Sequence, residues 1–330
     1  VASTHSDTIA TDYEALLNGC GLLDRSERGK LALSGADAVE FLNGQVTNEL
    51  GTRSPGEGCY AAFLTHKGKM LGDVRILAVG ESRDAPPAEL LLDTERACLQ
   101  ELFDMIRRYK VGYDVQLHKR TLEHGLLSLI GPRACELAGG EALGEALGEE
   151  HEHATITLDG VPARAVRTDV GIDLLCAASD TDALAEVLRA RGASPVAEEA
   201  AECLRIERGR PRYGVDLDDS VIPQEAGLNE RAVSFTKGCY VGQETVARLH
   251  YRGKPNRHLR GLRISEPLAA GAELRLGERS VGRLTSTSLS PRLGPIGLAL
   301  VRREAEPGST VSVGEDGASA TVIELPFAAG

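Results

Sequence analysis

Between Lys237 and Glu244 two glycines bracket a thiol that follows a cation: Lys237-Gly238-Cys239-Tyr240-Val241-Gly242-Gln243-Glu244. Glycine lets the backbone approach a ligand closely or turn with positive φ. A thiolate beside Lys237, close to a helix starting at Gly242 or Gln243, has its pKa lowered by opposite charge and by the helix dipole. Cys239 and Lys237 are therefore the candidate reactive pair; the plain alternative is a tight loop whose cysteine fills a gap in the core. Just downstream, Arg248, His250, Arg252, Lys254, Arg257, His258, Arg260 and Arg263 form a basic run in an acidic chain, either an anion dock or a solvated linker face.

Two carboxylates stand out for a different reason. Glu207, in Arg205-Ile206-Glu207-Arg208-Gly209, lies near the end of an expected helix that Gly209 caps and Pro211 cannot continue. A buried carboxylate accepts an amidine-like N–H pair as it would an arginine fork, although an ordinary salt bridge is the simpler use. Asp73 follows Gly72 in an otherwise apolar strand, where an acid either faces the surface or serves a pocket.

The elements that position these residues have readable outlines. Residues 29–33 read as a strand, and Ser34 precedes a helix over 36–42 with apolar positions at helical spacing. Residues 59–64 and 70–79 form an apolar hairpin around the polar turn 65–69. Residues 89–92 are a strand, with Asp93 or Thr94 as N-cap of an amphipathic helix over 95–107. A fainter copy follows: strand 126–130, Gly131 and a helix over 132–137, then strand 172–177 running into a helix over 182–191. This order predicts an α+β body of two pseudo-repeated halves, about residues 25–120 and 121–200, with the motif segment 201–257 after them. Residues 139–153, acidic and glycine-rich, read as a surface loop to which no function attaches. Beyond Arg260, short strands over 259–264, 273–276, 281–286, 296–301, 310–313 and 321–325 predict a small β-barrel or sandwich. The domain boundary is expected near 257–260, dividing the chain into 1–257 and 258–330.

Composition narrows the function. The 330 residues suffice for two or three domains, and 42% hydrophobic with 26% charged residues is an ordinary globular balance. A net charge of −12 repels phosphate backbones, so no direct nucleic-acid partner is expected. No apolar run approaches the ~18 residues that span a bilayer, and residues 1–11 lack signal-peptide order, which predicts a cytoplasmic protein with no membrane partner. The seven cysteines (Cys20, Cys59, Cys98, Cys135, Cys176, Cys203, Cys239) are scattered, with no CxxC and no His pair at ligand spacing, so free thiols and no metal site are expected. Walker, Rossmann, HExxH and G-x-S-x-G patterns are absent.

Residues 237–244 match the K-G-C-[FY]-x-G-Q-E signature of the YgfZ family, and the chain resembles that family over nearly its whole length. Ser34-Gly35-Ala36-Asp37-Ala38, Gln45-Val46-Thr47-Asn48, Cys59-Tyr60, the 65–68 turn, Asp73, Arg205-Ile206-Glu207 and Gly282-Arg283-Leu284-Thr285-Ser286 carry the likeness. The resemblance implies a T-protein-like ring of three domains, two α+β halves and a C-terminal β-barrel, around a central tetrahydrofolate site. It implies that Asp73 faces the reduced pterin, Glu207 holds the pterin edge, and Tyr60 and Arg248 line or close the pocket; a polyglutamyl tail would use the basic run. The implied role is accessory: a folate-binding factor that sustains assembly or repair of iron–sulfur client enzymes, and indirectly tRNA methylthiolation, with Cys239 as key thiol. The alternative is a folate-dependent aminomethyltransferase or amine-demethylating one-carbon enzyme with Asp73 as acid–base group. Gly72-Asp73 stands where T-proteins carry Asp-Asp, and their counterpart of the motif has no cysteine.

Overall fold

A computed structural model describes residues 2–314 and 317–328, with side chains from Ile9 onward. Its first sheet runs in the order Gly58–Leu64, Met70–Val79, Glu89–Thr94, Gly29–Ser34, Gln116–Lys119, all antiparallel. The second runs Ser194–Pro195, Gly21–Asp24, His124–Ile130, Gly171–Ala177, Val161–Arg167, His153–Leu158. Strand side chains alternate faces, and both sheets use the alternation the same way. Val74, Ile76 and Ala78 point into a core with the helices Ala38–Asn43 and Leu99–Tyr109. Leu127, Leu129, Ile172, Leu174 and Cys176 do the same against Ala134–Ala138 and Thr181–Ala190. The opposite faces meet each other through Leu77 and Leu91 from one sheet and Leu126, Val166 and Leu175 from the other. The six strands Arg257–Ile264, Glu273–Leu276, Arg279–Ser290, Gly294–Arg302, Thr310–Val313 and Ala318–Ile323 close into a barrel filled by Leu262, Leu274, Leu284, Val301 and Val322 among others.

Several elements depart from the sequence reading. The polar start is a helix, Ala2–Asn18, whose Tyr13 and Leu16 are fully buried. Strand Gly21–Asp24 lies before the first half yet pairs with His124–Ile130, so the chain enters through the second sheet before building the first. Neither Asp93 nor Thr94 caps a helix: the strand runs through both, Thr94 Oγ1 donates to the Asp73 carbonyl at 2.5 Å, and the helix begins at Leu99. Segment 139–153 is not a plain surface loop, since it holds the helix Glu141–Ala146 and buries Leu143 and Leu147.

The helix Glu198–Glu207 is the hub. Ala201, Leu204, Arg205 and Arg208 face the space between the sheets, while Cys203 and Glu207 face the first helix and the barrel. Its Ile206 joins Leu259, Ile296, Leu298 and Phe327 in the seam that seats the barrel. Arg205 reinforces the seam, donating to Asp216 at 2.7 Å and to Ser286 at 2.8 Å, while Thr285 and Ser286 donate to the other Asp216 oxygen.

The 237–244 motif is fastened from within. Lys237 is buried and its Nζ donates to the carbonyls of Asn43, Val46 and Asn48 at 2.6, 2.9 and 2.7 Å. Burial pushes this amine down to about 8, with Glu49 pulling the other way. Gly242, at φ 84°, leaves no room for a Cβ, which would stand 2.6 Å from the Thr65 carbonyl. The loop thus sits on the 65–69 turn. Lys237→Met strands three buried carbonyls, and we expect a loss of about 2–4 kcal/mol in urea unfolding; an unchanged midpoint would refute the anchoring role.

Candidate functional site

Where the two sheets face each other, the apolar contact gives way to a cleft of about 240 Å³ lined by eight arginines and six carboxylates. The sheet geometry explains the concentration of charge. Tyr60, Arg75, Asp93 and Lys30 occupy directly opposed positions on four neighbouring strands, forming a polar row across the first sheet. Asp73 lies two residues from Arg75 and therefore on the same face. From the second sheet, Asp173 meets this row: Arg75 Nη1 reaches its Oδ2 at 2.5 Å, and Ser128 donates to Oδ1 at 2.6 Å.

Buried charges are tolerable only when paired, and nearly all of these are. Asp93 lies 2.8 Å from Arg28 and 2.7 Å from Arg75. Burial pushes Asp93 upward, but the two guanidiniums hold it below the usual carboxylate range. Glu95 pairs with Arg28 and Glu150 with Arg231. Arg212 meets Glu198 and Glu202 at 3.0 and 2.7 Å.

Asp73 is the exception: among the described residues it is the cleft carboxylate without an ion pair. It is 6% exposed, and Tyr60 donates its hydroxyl to Oδ2 at 2.6 Å. Burial raises its pKa to about 6, against the lowering effect of the Tyr60 bond. Arg231 lies over the Tyr60 ring at 5.3 Å from its centroid, and the His151 ring is 6.5 Å away. Burial, then the positive charge of Arg75 and Arg231, presses His151 down to about 3, so its imidazole is neutral. Arg75 Nε, Arg231 Nε and His151 Nδ1 are buried in this wall with no hydrogen-bond partner, and Arg75 Nη2 has only its ion pair with Asp93.

The other expected site residues lie elsewhere. Glu207 projects from the far face of its helix, where Tyr13 Oη at 2.7 Å, Ser290 Oγ at 2.5 Å and Arg292 Nη2 at 2.7 Å fill its oxygens. In this structure the expected ligand-edge residue lies outside the cleft and fastens the first helix and the barrel. The barrel itself backs the cleft without lining it. Arg248 is exposed on the helix Gln243–Arg252 and pairs with Glu244 at 2.7 Å, away from the cleft. Cys239 is the exposed member of the seven cysteines, and it too is outside the cleft. The amine of Lys237 is turned inward to its three carbonyls. Gly238 and Gln243 close this loop, the amide of Gln243 reaching the Gly238 carbonyl at 3.4 Å, and Tyr240 is buried beneath it.

Arg28, Arg75, Asp93, His151 and Asp173 are cleft residues that sequence reasoning passed over. The signal existed for Arg75, a charge two residues from Asp73 in an apolar strand, and for Asp173, an acid in the apolar strand Gly171–Ala177; nothing local marks His151.

The fold prefers the neutral Asp73, so the stability this group contributes is full below pH ~4, its unfolded pKa, and is lost as pH rises through about 6. Asp73→Asn should therefore melt above the parent chain at pH 8, with the difference shrinking toward zero near pH 4. A pH-independent difference in scanning fluorimetry would contradict the shifted acid.

Comparison with known proteins places this geometry. Residues 2–237 match the GCVT N-terminal domain, and residues 257–328 match the glycine cleavage T-protein C-terminal barrel domain. The chain is 32% identical over 337 residues to the Arabidopsis thaliana protein named "Putative transferase At1g60990, chloroplastic", covering all of this chain and 76% of that one. It is 31% identical to the aminomethyltransferase of Rubrobacter xylanophilus, over 97% of this chain and 86% of the other. The crystal structure of the glycine cleavage system aminomethyltransferase T from Bartonella henselae superposes with a TM-score of 0.84 at 24% identity, covering 97% of this chain and 89% of that structure. With both of its domain models matched in order along the chain, this protein belongs to the glycine cleavage T-protein family.

Proposed function

We propose that this protein binds tetrahydrofolate in the central cleft and passes a one-carbon unit to it, with Asp73 as the acid–base group. The observation that carries the reading is the unpaired Asp73, bonded to Tyr60 and raised to about 6, close enough to neutrality to exchange a proton. Family membership and the aminomethyltransferase names of its relatives support the same class of reaction.

The cleft suits a polar heterocycle. Leu204, Val170 and Ile130 offer apolar wall, while Arg75 Nε, Arg231 Nε, His151 Nδ1 and the second Asp73 oxygen are left for a ligand's hydrogen bonds. Bound reduced folate supplies the amines that accept a one-carbon unit. Tyr60 orients the Asp73 carboxylate, and Arg28 and Arg75 hold the neighbouring Asp93 below the usual carboxylate range, so that Asp73 rather than Asp93 is poised to move a proton.

Anaerobic calorimetry should show saturable tetrahydrofolate binding that survives Asp73→Asn, while turnover of an aminomethyl donor or methylated amine falls at least ~100-fold in that variant. Acting as a base, Asp73 makes kcat/KM rise with pH through about 6. Binding without product across such donors would sink the transfer reading.

One observation favours a second role. Cys239 is exposed on a loop held rigid from beneath and is separate from the cleft, which suits transient thiol contact with a partner protein. On this reading the partners are iron–sulfur client enzymes whose assembly or repair, and through them tRNA methylthiolation, the protein sustains. Cys239→Ala should then abolish client activity in a complemented deletion strain while leaving folate binding intact; full complementation would end this reading.

A further inference from the structure

Strand Gly58–Leu64 is an edge of the first sheet, so its outward amides and carbonyls have no neighbouring strand to pair with. The segment 46–48 covers them. Thr47 takes Ala62 in both directions, its amide donating to the Ala62 carbonyl at 3.0 Å and its hydroxyl oxygen accepting from the Ala62 amide at 2.8 Å. Asn48 takes the next outward position, its side-chain amide donating to the Tyr60 carbonyl at 2.9 Å. The same amide group donates to the Arg231 carbonyl at 3.2 Å, in the short helix Asn229–Ala232. Asn48 Oδ1 accepts from the Glu49 amide at 2.9 Å, and Lys237 holds the Asn48 backbone carbonyl at 2.7 Å. Both amide hydrogens and the amide oxygen are thus committed within the protein.

The two residues tied in this way meet at Asp73. Tyr60 donates its hydroxyl to the carboxylate at 2.6 Å, and the Arg231 guanidinium stands 5.3 Å from the Tyr60 ring centroid. We infer that Asn48 is a positioning residue for the acid–base group: by tying the backbones of Tyr60 and Arg231 to each other, it keeps the Tyr60 hydroxyl on Asp73. The inference rests on the reading of Asp73 given above and adds to it a residue that does not line the cleft. On the sheet side Tyr60 is opposed by Arg75; on the open side its hydrogen bond comes from Asn48. A bond of 2.6 Å leaves little slack, and groups of a reacting site must be held to within about 0.5 Å by the contacts behind them. The other titratable groups acting on Asp73 are Arg28 and Glu95 in the cleft and Cys98 behind the strand. Asn48 bonds to none of them, so its influence on the acid runs through Tyr60.

The test is a magnetic-resonance titration of Asp73 in the full chain, isotope-labelled at aspartate Cγ, with the signal assigned by its loss in Asp73→Asn. The parent, Asn48→Ala, Tyr60→Phe and the double variant are compared; Asn48→Ser, which keeps an oxygen for the Glu49 amide, serves where Asn48→Ala does not fold. The parent should titrate at about 6. The Tyr60 bond lowers that value, so Tyr60→Phe should raise the midpoint and Asn48→Ala should raise it in the same direction. In the Tyr60→Phe background, Asn48→Ala should add nothing. A purely structural Asn48 would lower the melting temperature and leave the midpoint where the parent has it. That result, or a shift of full size without the Tyr60 hydroxyl, overturns the positioning role and leaves the acid–base reading standing. A parent midpoint of ~4, the ordinary carboxylate value, overturns both. The titrations contain no folate, so their outcome is separate from whether tetrahydrofolate binds.

Discussion

The ion-pair chain Glu95–Arg28–Asp93–Arg75–Asp173 is the constraint on which the site depends. It begins in the first sheet and ends in the second. Each member is costly to bury alone, and removing one partner of such a pair typically costs about 3–5 kcal/mol because the other is left charged and unsolvated. The two sheets are therefore held at the separation that satisfies these bonds, with the apolar patch around Leu77 and Leu126 closing the interface beside them. The same chain explains why Asp73 is distinctive. Arg28 and Arg75 are already committed to Asp93, Glu95 and Asp173, so Asp73 keeps a neutral partner, Tyr60, and the effect of its burial outweighs that bond and the field of Arg28.

The helix Glu198–Glu207 converts that local arrangement into a three-part architecture. One face supplies Leu204, Arg205 and Arg208 to the cleft and its outer wall; the other carries Glu207 into a buried cluster with Tyr13, Ser290 and Arg292. The barrel thus contributes by fixing the helix rather than by touching the ligand space. A change at Glu207 would reach the cleft through helix position, which is why a loss of ligand binding on its substitution would not by itself identify a ligand contact.

Much of the framework is legible in the sequence because it rests on local patterns. Alternating apolar residues mark the hairpin 58–79 and the six barrel strands, and the glycines at 68 and 242 mark close backbone contacts. What escapes is what depends on distant partners. Strand Gly21–Asp24 is four residues long and finds its neighbours more than a hundred residues away. Asp93, read as a cap, is drawn into the strand by two arginines. Glu207 and Arg208 are adjacent in sequence, yet helix geometry sends one to the barrel and the other to the cleft, and only the packed neighbours decide which. Lys237 next to Cys239 suggests an activated thiol, but the amine is bound by the carbonyls of Asn43, at the end of the helix Ala38–Asn43, and of Val46 and Asn48 beyond it.

The separation of Cys239 from Asp73 bears on how the two readings of function relate. A thiol that shared the cleft would point to one reaction using both groups. Here the thiol stands on a loop seated on the 65–69 turn, while Asp73 lies on the strand that leaves that turn, three residues beyond Met70. The hairpin therefore joins the two places mechanically without joining their chemistry.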